Sequence, residues 1–417
     1  MRIAPHLSTT LPRPSRILYV HHRPELGGAP VSLSGLISNL DRERFSPVVY
    51  CPPGPAADLF AQAGAEIVTG PIATFTHVWA SYYSGLRWLL LGRELSHLPR
   101  SLQRFREVLR EAPFDLVHLN DSPLVYSAAQ AYANSLPIVW HLRSSFAREG
   151  QDRRSHAIAR LVDRTAAAVI AIDTDVKRSF PGSAHVTVIH NSVDLTHFVP
   201  SDGAASKRLH GLRDDLVTVG LFGYLYARKG WPDLLTAAAR LVNQGAPAQF
   251  VIVGGGVRPP AFFESVQGRL LRRVGLAADE ERRARVMAER LGIADRVHFL
   301  PFSSDPRDVY WALDIVTFPN RGEGLGRAVI EASACGRPIV ASGSLDGAGL
   351  VIPDTTGFLV PKRSPDALAA TLGKLIQDEK LRARVGRAAR THAELKFDPR
   401  SNAEAAMDVY DRVLAGR

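Results

Sequence analysis

Two series of short apolar runs, separated by amphipathic stretches, limit what this chain can fold into more than any other feature. The first series is Arg16 to His21, Ser46 to Cys51, Glu66 to Gly70, Phe114 to Leu119, Pro137 to Leu142, Ala168 to Ile172 and Val186 to His190. The second is Leu216 to Gly223, Gln249 to Gly255, Arg296 to Pro301, Asp314 to Pro319, Arg337 to Ser342 and Gly357 to Val360. Runs of this kind, β-branched or aromatic and alternating with helical periodicity, are the pattern of parallel βαβ units. Each series has enough members for one doubly wound sheet. Between them, Pro200 to Asp215 is polar and rich in small residues and reads as a linker. The expected class is α/β: two Rossmann-like, doubly wound parallel-sheet domains, residues 1–200 and 201–395, facing a central cleft. The helical tail from Pro365 onward is long enough to leave the second domain, and residues 396–417 are expected to pack back on the first. Ligands on such sheets bind beyond the carboxyl ends of the strands, so the loops after strands and the cleft hold the candidate site.

Composition narrows the class. A length of 417 residues exceeds one typical domain, and 46% hydrophobic with 22% charged residues is ordinary for a globular protein. No apolar run reaches the roughly 18–20 residues of a membrane span; the nearest, Leu86 to Leu91, is short and accompanied by Arg87 and Arg93. The first fifteen residues lack an apolar core and read as a Pro-containing arm rather than a signal peptide. Cys51 and Cys335 match no metal spacing, so a reduced, cytoplasmic protein without a metal is expected. The net charge of +10 suits phosphate-bearing small molecules or an anionic membrane. Nucleic acid is not expected, because the aromatic-plus-basic patterns of its common binding modules are missing. The Arg-rich stretches Arg100 to Arg110 and Arg269 to Arg290 are interleaved with Glu and read as solvated helix faces.

The chemistry concentrates after the run that ends at Phe318. Gly322, Gly324 and Gly326 alternate around Glu323, so the backbone can approach a ligand closely with its N–H groups unshielded. A helix is expected from about Arg327, and its amino end offers free donors and partial positive charge to an anion. Glu331 lies inside that helix among Ala328, Val329, Ile330, Ala332 and Ala334, where a carboxylate is costly without a partner. Seven residues separate the two glutamates. They can accept hydrogen bonds from hydroxyls at two ends of one ligand, while the N–H groups of Gly324, Leu325 and Gly326 hold phosphate. The alternative is a plain glycine turn feeding a helix, with Glu331 capped by a buried Arg.

The Glu–seven residues–Glu spacing followed by Ala-Cys-Gly-Arg-Pro-Ile-Val-Ala-Ser resembles the donor motif of family 4 retaining glycosyltransferases, which share the two-domain GT-B fold. Other segments agree in order: Gly223 to Ala238, with Lys229-Gly230 before a helix; Val188 to Pro200, with Asn191-Ser192; and Arg16 to Pro30, the first strand and its glycine loop. Together they cover nearly the whole chain. The resemblance implies that Glu323 contacts the transferred sugar and Glu331 the ribose. It implies that Lys229 neutralises the diphosphate leaving group, with Arg228 as a second cation. Gly27 and Gly28 would approach the donor phosphate or the acceptor, and Gly223, Tyr224, Gly254, Gly255 and Asn191 would line the donor site. The co-substrate would be a nucleotide diphosphate sugar, no metal or other cofactor is expected, and the acceptor would be a glycan or lipid-linked. Polysaccharide or glycolipid synthesis is the implied role; a non-catalytic GT-B partner or another nucleotide-sugar enzyme such as an epimerase is the alternative.

Three positions depart from the family pattern. Tyr224 stands where Arg usually follows the glycine, Ser192 replaces the glycine after Asn191, and Asn120 stands where some members place a functional His. Asp121, His118 and His141 are then the candidates for contacting acceptor or sugar. Asp173-Thr174-Asp175 mimics a metal site but follows a strand and reads as a helix cap. Gly254-Gly255-Gly256 lacks dinucleotide spacing and reads as a loop lining the nucleotide. The stretch from Phe75 to Arg110 mixes aromatics, leucines and Arg, and suits a surface helix resting on an anionic membrane at the inner face of the cell membrane.

Overall fold

The computed structural model describes residues 13–74, 88–146, 153–255, 259–274, 276–322, 326–343 and 349–416. The amino-terminal arm and the segment 75–87 lie outside them. All thirteen runs form strands: β1 (Ser15–Val20), β2 (Phe45–Cys51), β3 (Glu66–Thr69), β4 (Leu116–Leu119), β5 (Ile138–Leu142), β6 (Ala166–Ala171) and β7 (Val186–Val188), then β8 (Val217–Phe222), β9 (Ala248–Val253), β10 (Val297–Leu300), β11 (Ile315–Phe318), β12 (Ile339–Ser342) and β13 (Gly357–Val360). They pair in parallel as two sheets, ordered β3-β2-β1-β4-β5-β6-β7 and β10-β9-β8-β11-β12-β13.

The central strands carry continuous apolar sequence because helices cover both faces; Ile17, Leu18, Tyr19 and Val20 of β1 are all fully buried. Each order reverses once, between β1 and β4 and between β8 and β11. A reversal sends neighbouring crossovers to opposite faces and opens a crevice at the carboxyl edge. The loops after β1, β4, β8 and β11 therefore occupy the two crevices, and they carry most of the residues singled out above.

Pro200 to Asp215 is more than a linker. It contains the helix Ala204–Leu209, and Lys207 within it is buried, donating to Asp314 Oδ2 at 2.7 Å and to the Leu216 carbonyl at 3.1 Å. Gly203 (φ 78°) precedes that helix, and a Cβ there would lie 1.9 Å from the Trp311 carbonyl oxygen. The segment is thus seated on the second domain, which its small polar composition concealed. In the tail, the helix Pro365–Gln377 stays on the second sheet through Leu368, Leu372 and Leu375. The helix Pro399–Ala415 crosses over instead, packing Ala403, Ala406, Met407, Val409 and Tyr410 beside Ile17, Tyr19 and Phe45 of the first. Among the described residues no helix is long and apolar enough to cross a membrane.

Candidate active site

On the second sheet, the loops after β8, β9 and β11 are pressed together by glycines. Gly223 has φ 119° and Gly254 φ 121°, and a Cβ on Gly254 would stand 2.6 Å from the Gly223 carbonyl oxygen. Gly255 has φ 60°. Gly230 (φ 85°) lies so close to the next loop that a Cβ would meet the Pro319 carbonyl oxygen at 1.8 Å. Gly230→Ala therefore combines a left-handed backbone with a collision and costs at least about 2 kcal/mol. Gly245→Ala shares the left-handed conformation (φ 77°) with nothing within 4 Å of the added carbon, and loses less. Urea unfolding of the two variants checks the difference.

Arg321 fastens the same two loops. Its guanidinium donates to both oxygens of Asp233, at 2.8 and 2.7 Å, and its backbone N–H donates to the Arg228 carbonyl at 2.7 Å. Lys229 is thereby held with its ammonium 4.9 Å from the Phe318 ring centroid, where the ring face attracts it. Burial, with Arg228 adding repulsion, lowers its pKa to about 8. No carboxylate among the described residues pairs with it. Arg228 lies over the Tyr226 ring at 5.2 Å, and Tyr224 stacks on Phe302 with ring centroids 5.8 Å apart and planes 5° apart. Where the resemblance expects an Arg, the loop presents an aromatic stack.

The helix Arg327–Ala334 starts directly after Gly326, on which a Cβ would lie 2.9 Å from Phe318. The Phe318 ring thus links Lys229 to this helix amino terminus. Glu331 is buried and accepts from Arg327 Nε at 2.6 Å and from Tyr310 Oη at 2.9 Å. The Tyr310 ring is fixed by stacking on Phe222, centroids 4.0 Å apart. The capping Arg comes from one turn earlier in the same helix. It does not exhaust the carboxylate, because each oxygen has two lone pairs and ligand hydroxyls can take those left over. Glu323, Gly324 and Leu325 lie outside the described residues, as does Gly256.

Arg327 also reaches the first domain, donating to Ser32 Oγ at 3.3 Å and to the Ser192 carbonyl at 3.0 Å. Ser32 belongs to the helix Gly28–Ser38, capped by Gly27, and a Cβ on Gly28 would lie 3.9 Å from Arg327 Cβ. Two helix amino termini thus approach one another across the domain interface, both offering partial positive charge to one anion.

The first sheet contributes a buried polar cluster. Its centre is Arg143, immediately after β5, whose Nε donates to Asn120 Oδ1 and Nη1 to Asn191 Oδ1 at 2.8 Å. Burial brings the Arg143 pKa down to about 10, with Asp121 opposing the shift. Asp121 has φ 129°, a conformation rarely adopted by a residue with a Cβ. Its carboxylate holds that turn by accepting from Ser122 N at 2.8 Å, Arg143 N at 3.1 Å and Ser144 Oγ at 2.7 Å. Asn120 Nδ2 lies 2.9 Å from His21 Nδ1. His118 and His141 are buried, with Nε2 of the first 3.2 Å from Nδ1 of the second.

Two family profiles divide the chain at the point where the domains meet: Glycosyltransferase Family 4 matches residues 26–197, and Glycosyl transferases group 1 matches residues 204–392. This chain belongs to the group 1, family 4 glycosyltransferases. It is 35% identical over 235 residues to a D-inositol 3-phosphate glycosyltransferase of Mycobacteroides abscessus, an overlap of 56% of this chain and 47% of that protein. It is 29% identical over 357 residues to one of Streptomyces avermitilis, covering 81% and 74% of the two. The chain thus spans about half the length of the first of these curated relatives, 47%. HepE of Anabaena in complex with UDP-glucose superposes with a TM-score of 0.77 at 21% identity, covering 95% of this chain and 99% of the other. Sucrose-phosphate synthase of Thermosynechococcus elongatus superposes with 0.73 at 18%, covering 97% and 100%. These likenesses show the fold, which is GT-B.

Within this glycosyltransferase-family chain the structure gathers the second-domain candidates Gly223, Tyr224, Arg228, Lys229, Gly254, Gly255, Gly326 and Glu331 along one crevice. Gly27, Gly28 and Asn191 face them, and Asp121, His118 and His141 form the buried cluster behind. Asp173 caps the helix Thr174–Ser179 by accepting from Val176 N at 2.7 Å. Sequence reasoning missed Arg143, Arg321 with Asp233, Tyr310 and Ser32. None carries a local signal, because each acts on a partner distant in sequence. Arg327 had one, its spacing of four residues before Glu331 on a helix.

Proposed function

We propose that the chain transfers a hexosyl group, with retention at the anomeric carbon, from a nucleotide diphosphate sugar to a hydroxyl of a glycan or lipid-linked acceptor. The observation that carries this reading is the meeting of two helix amino termini beside Lys229, Arg228 and Arg327, with Glu331 one turn away. That set suits a ligand with a doubly charged diphosphate and a neighbouring diol. As the anomeric C–O bond breaks, charge builds on the diphosphate, and Lys229 and Arg228 neutralise it. The acceptor oxygen bonds to the anomeric carbon on the same face, and its proton passes to the departing diphosphate oxygen. Glu331 holds the ribose and Glu323 the sugar hydroxyls. The D-inositol 3-phosphate of the relatives' names and the UDP-glucose bound by HepE make a uridine diphosphate sugar and a polar, phosphate-bearing acceptor the first pair to try.

The test is a panel of UDP-, GDP- and ADP-sugars, scored by thermal shift and by slow donor hydrolysis, beside Lys229→Ala. One nucleotide family should stabilise the protein and be hydrolysed, with hydrolysis lost in the variant. Silence toward every donor would favour a non-catalytic GT-B partner, and turnover to an epimeric sugar nucleotide would favour an epimerase.

Synthesis of cell-surface polysaccharide or glycolipid at the inner face of the membrane is the cellular role we infer. In the helix Trp88–Ser96 no side chain is buried, and Trp88, Leu89 and Leu95 are 59%, 52% and 47% exposed. The following helix, Leu98–Glu111, adds Arg100, Arg104, Arg106 and Arg110. Apolar side chains entering the headgroup boundary with Arg nearby suit an anionic bilayer. The double variant Trp88→Ser, Leu89→Ser should weaken co-sedimentation with phosphatidylglycerol vesicles about tenfold or more. Added salt should weaken binding of the parent protein. Equal sedimentation of both proteins would remove the membrane from the proposal.

A further inference from the structure

We propose that Tyr410 and His118 are positioning residues that hold His141 in a single tautomer, so that its Nε2–H is offered as a hydrogen-bond donor beside Arg143. The C-terminal helix would thus set the chemistry of a first-domain side chain from 269 positions away in the chain, 410 against 141.

Donors and acceptors along this cluster place its protons. Tyr19 on β1 and His118 on β4 are register partners, and the C-terminal helix lays Tyr410 over them, with ring centroids 6.4 and 5.8 Å away. His141 on β5 follows, its ring centroid 5.2 Å from that of His118. Arg143 has only N–H donors, and its Nη2 lies 3.5 Å from His141 Nδ1. A proton on that Nδ1 would set two donors face to face, so the contact favours Nδ1 as the accepting nitrogen, although at 3.5 Å it is too long to fix the tautomer by itself. His118 Nε2 is 3.2 Å from the same Nδ1 and must then carry the proton. That leaves His118 Nδ1 as an acceptor, and the Tyr410 hydroxyl, 2.9 Å away, donates to it. Tyr410 oxygen in turn accepts from the Tyr19 hydroxyl at 3.3 Å. Every hydrogen in the chain Tyr19–Tyr410–His118–His141 then has one place.

Burial drives both imidazoles well below their ordinary pKa, with Arg143 adding to the effect, so both are neutral around pH 7. A neutral His141 with Nδ1 unprotonated carries its proton on Nε2. That nitrogen is buried and has no partner among the described residues, a state that costs free energy unless a ligand relieves it. His141 and Arg143 line a small cavity with Ser32, Asn191, Ser192 and Asn402. Ser32 and Ser192 are also the first-domain partners of Arg327, so the cavity meets the crevice where the two domains touch. The Nε2–H, on the ring edge away from the Arg143 contact, calls for a ligand oxygen with free lone pairs. On the transferase reading, that oxygen belongs to a substrate in the crevice.

The experiment uses the full chain with 15N-labelled histidine, the His141 signals being assigned by their loss in His141→Gln. Long-range 1H–15N correlation near pH 7.5 should show His141 protonated on Nε2 alone. A signal protonated on Nδ1 would overturn the proposal. Tyr410→Phe keeps the ring and removes the donor, and should convert His141 to a mixture of tautomers; an unchanged spectrum would remove Tyr410 from the account. In hydrolysis of the responsive nucleotide sugar, Tyr410→Phe should lower kcat about fivefold while KM stays within about twofold. Full kcat, or equal damage to both with a lowered melting temperature, would reduce Tyr410 to a structural role. The spectra need no turnover, so failure of the transferase reading and failure of the tautomer assignment remain distinguishable.

Discussion

Lys229→Ala lowers donor turnover by roughly 10²–10³-fold, the loss typical when one preorganised charge-stabilising group is removed from a reacting site. On the proposed transfer the effect falls on kcat more than on KM, because charge on the diphosphate would be greatest as the glycosidic bond breaks. Steady-state nucleotide release over a pH series measures it. The parent protein should lose kcat/KM as pH rises through about 8, where free Lys229 gives up its proton, and the variant should lack that limb. Bound diphosphate favours the ammonium form, so the limb in kcat lies at higher pH. Stability moves the other way. The folded pKa of about 8 is below the ordinary 10.5, so the unfolded chain binds more protons between those values. Unfolding free energy contributed by this group therefore rises with pH across that window, and the rise disappears in Lys229→Ala. A variant retaining full turnover would sink the assignment of Lys229 to the leaving group.

Glu331→Ala is the second large effect, and it acts on stability and on binding together. It leaves the buried Tyr310 hydroxyl and the Arg327 guanidinium without their shared carboxylate. Breaking a largely buried pair from one side costs about 3 kcal/mol or more, read from urea denaturation. On the proposed function, nucleotide affinity should fall at the same time, because the carboxylate assigned to the ribose is gone. Arg327→Leu separates the two contributions: a double-variant cycle should return a coupling of at least about 1 kcal/mol between Arg327 and Glu331. Strict additivity would mean that the short contact contributes nothing. Arg327→Leu also removes the bonds to Ser32 and Ser192, so small-angle scattering should show a wider spread of domain arrangements.

The strands were legible because their cause is local. Parallel strands covered on both faces must be continuously apolar, and continuous apolar runs with β-branched residues are visible in one dimension. The glycine loops were legible for the same reason: Gly230 and Gly254 occupy backbone conformations and contacts that a Cβ would obstruct. The helix Ala204–Leu209 was not, because Lys207 is buried only by virtue of Asp314, which lies 107 positions away. Composition alone made that segment read as a linker.

The same division runs through the site. Which residues carry charge into the crevice, Lys229, Arg228 and Glu331, follows from the order of loops after strands, and sequence spacing sets that order. What each charge does there is decided by partners the chain brings from elsewhere. Tyr310 orients Glu331, Asp233 with Arg321 holds the Lys229 loop, and Tyr410 from the last helix reaches His118 on the first sheet; only Arg327, one turn before Glu331, was visible in the spacing. Hydrogen bonds and desolvation depend on distances of a few ångströms between atoms that, in these pairs, are 21, 88 and 292 positions apart in the chain. Chain closure in three dimensions sets those distances, and no local pattern encodes them.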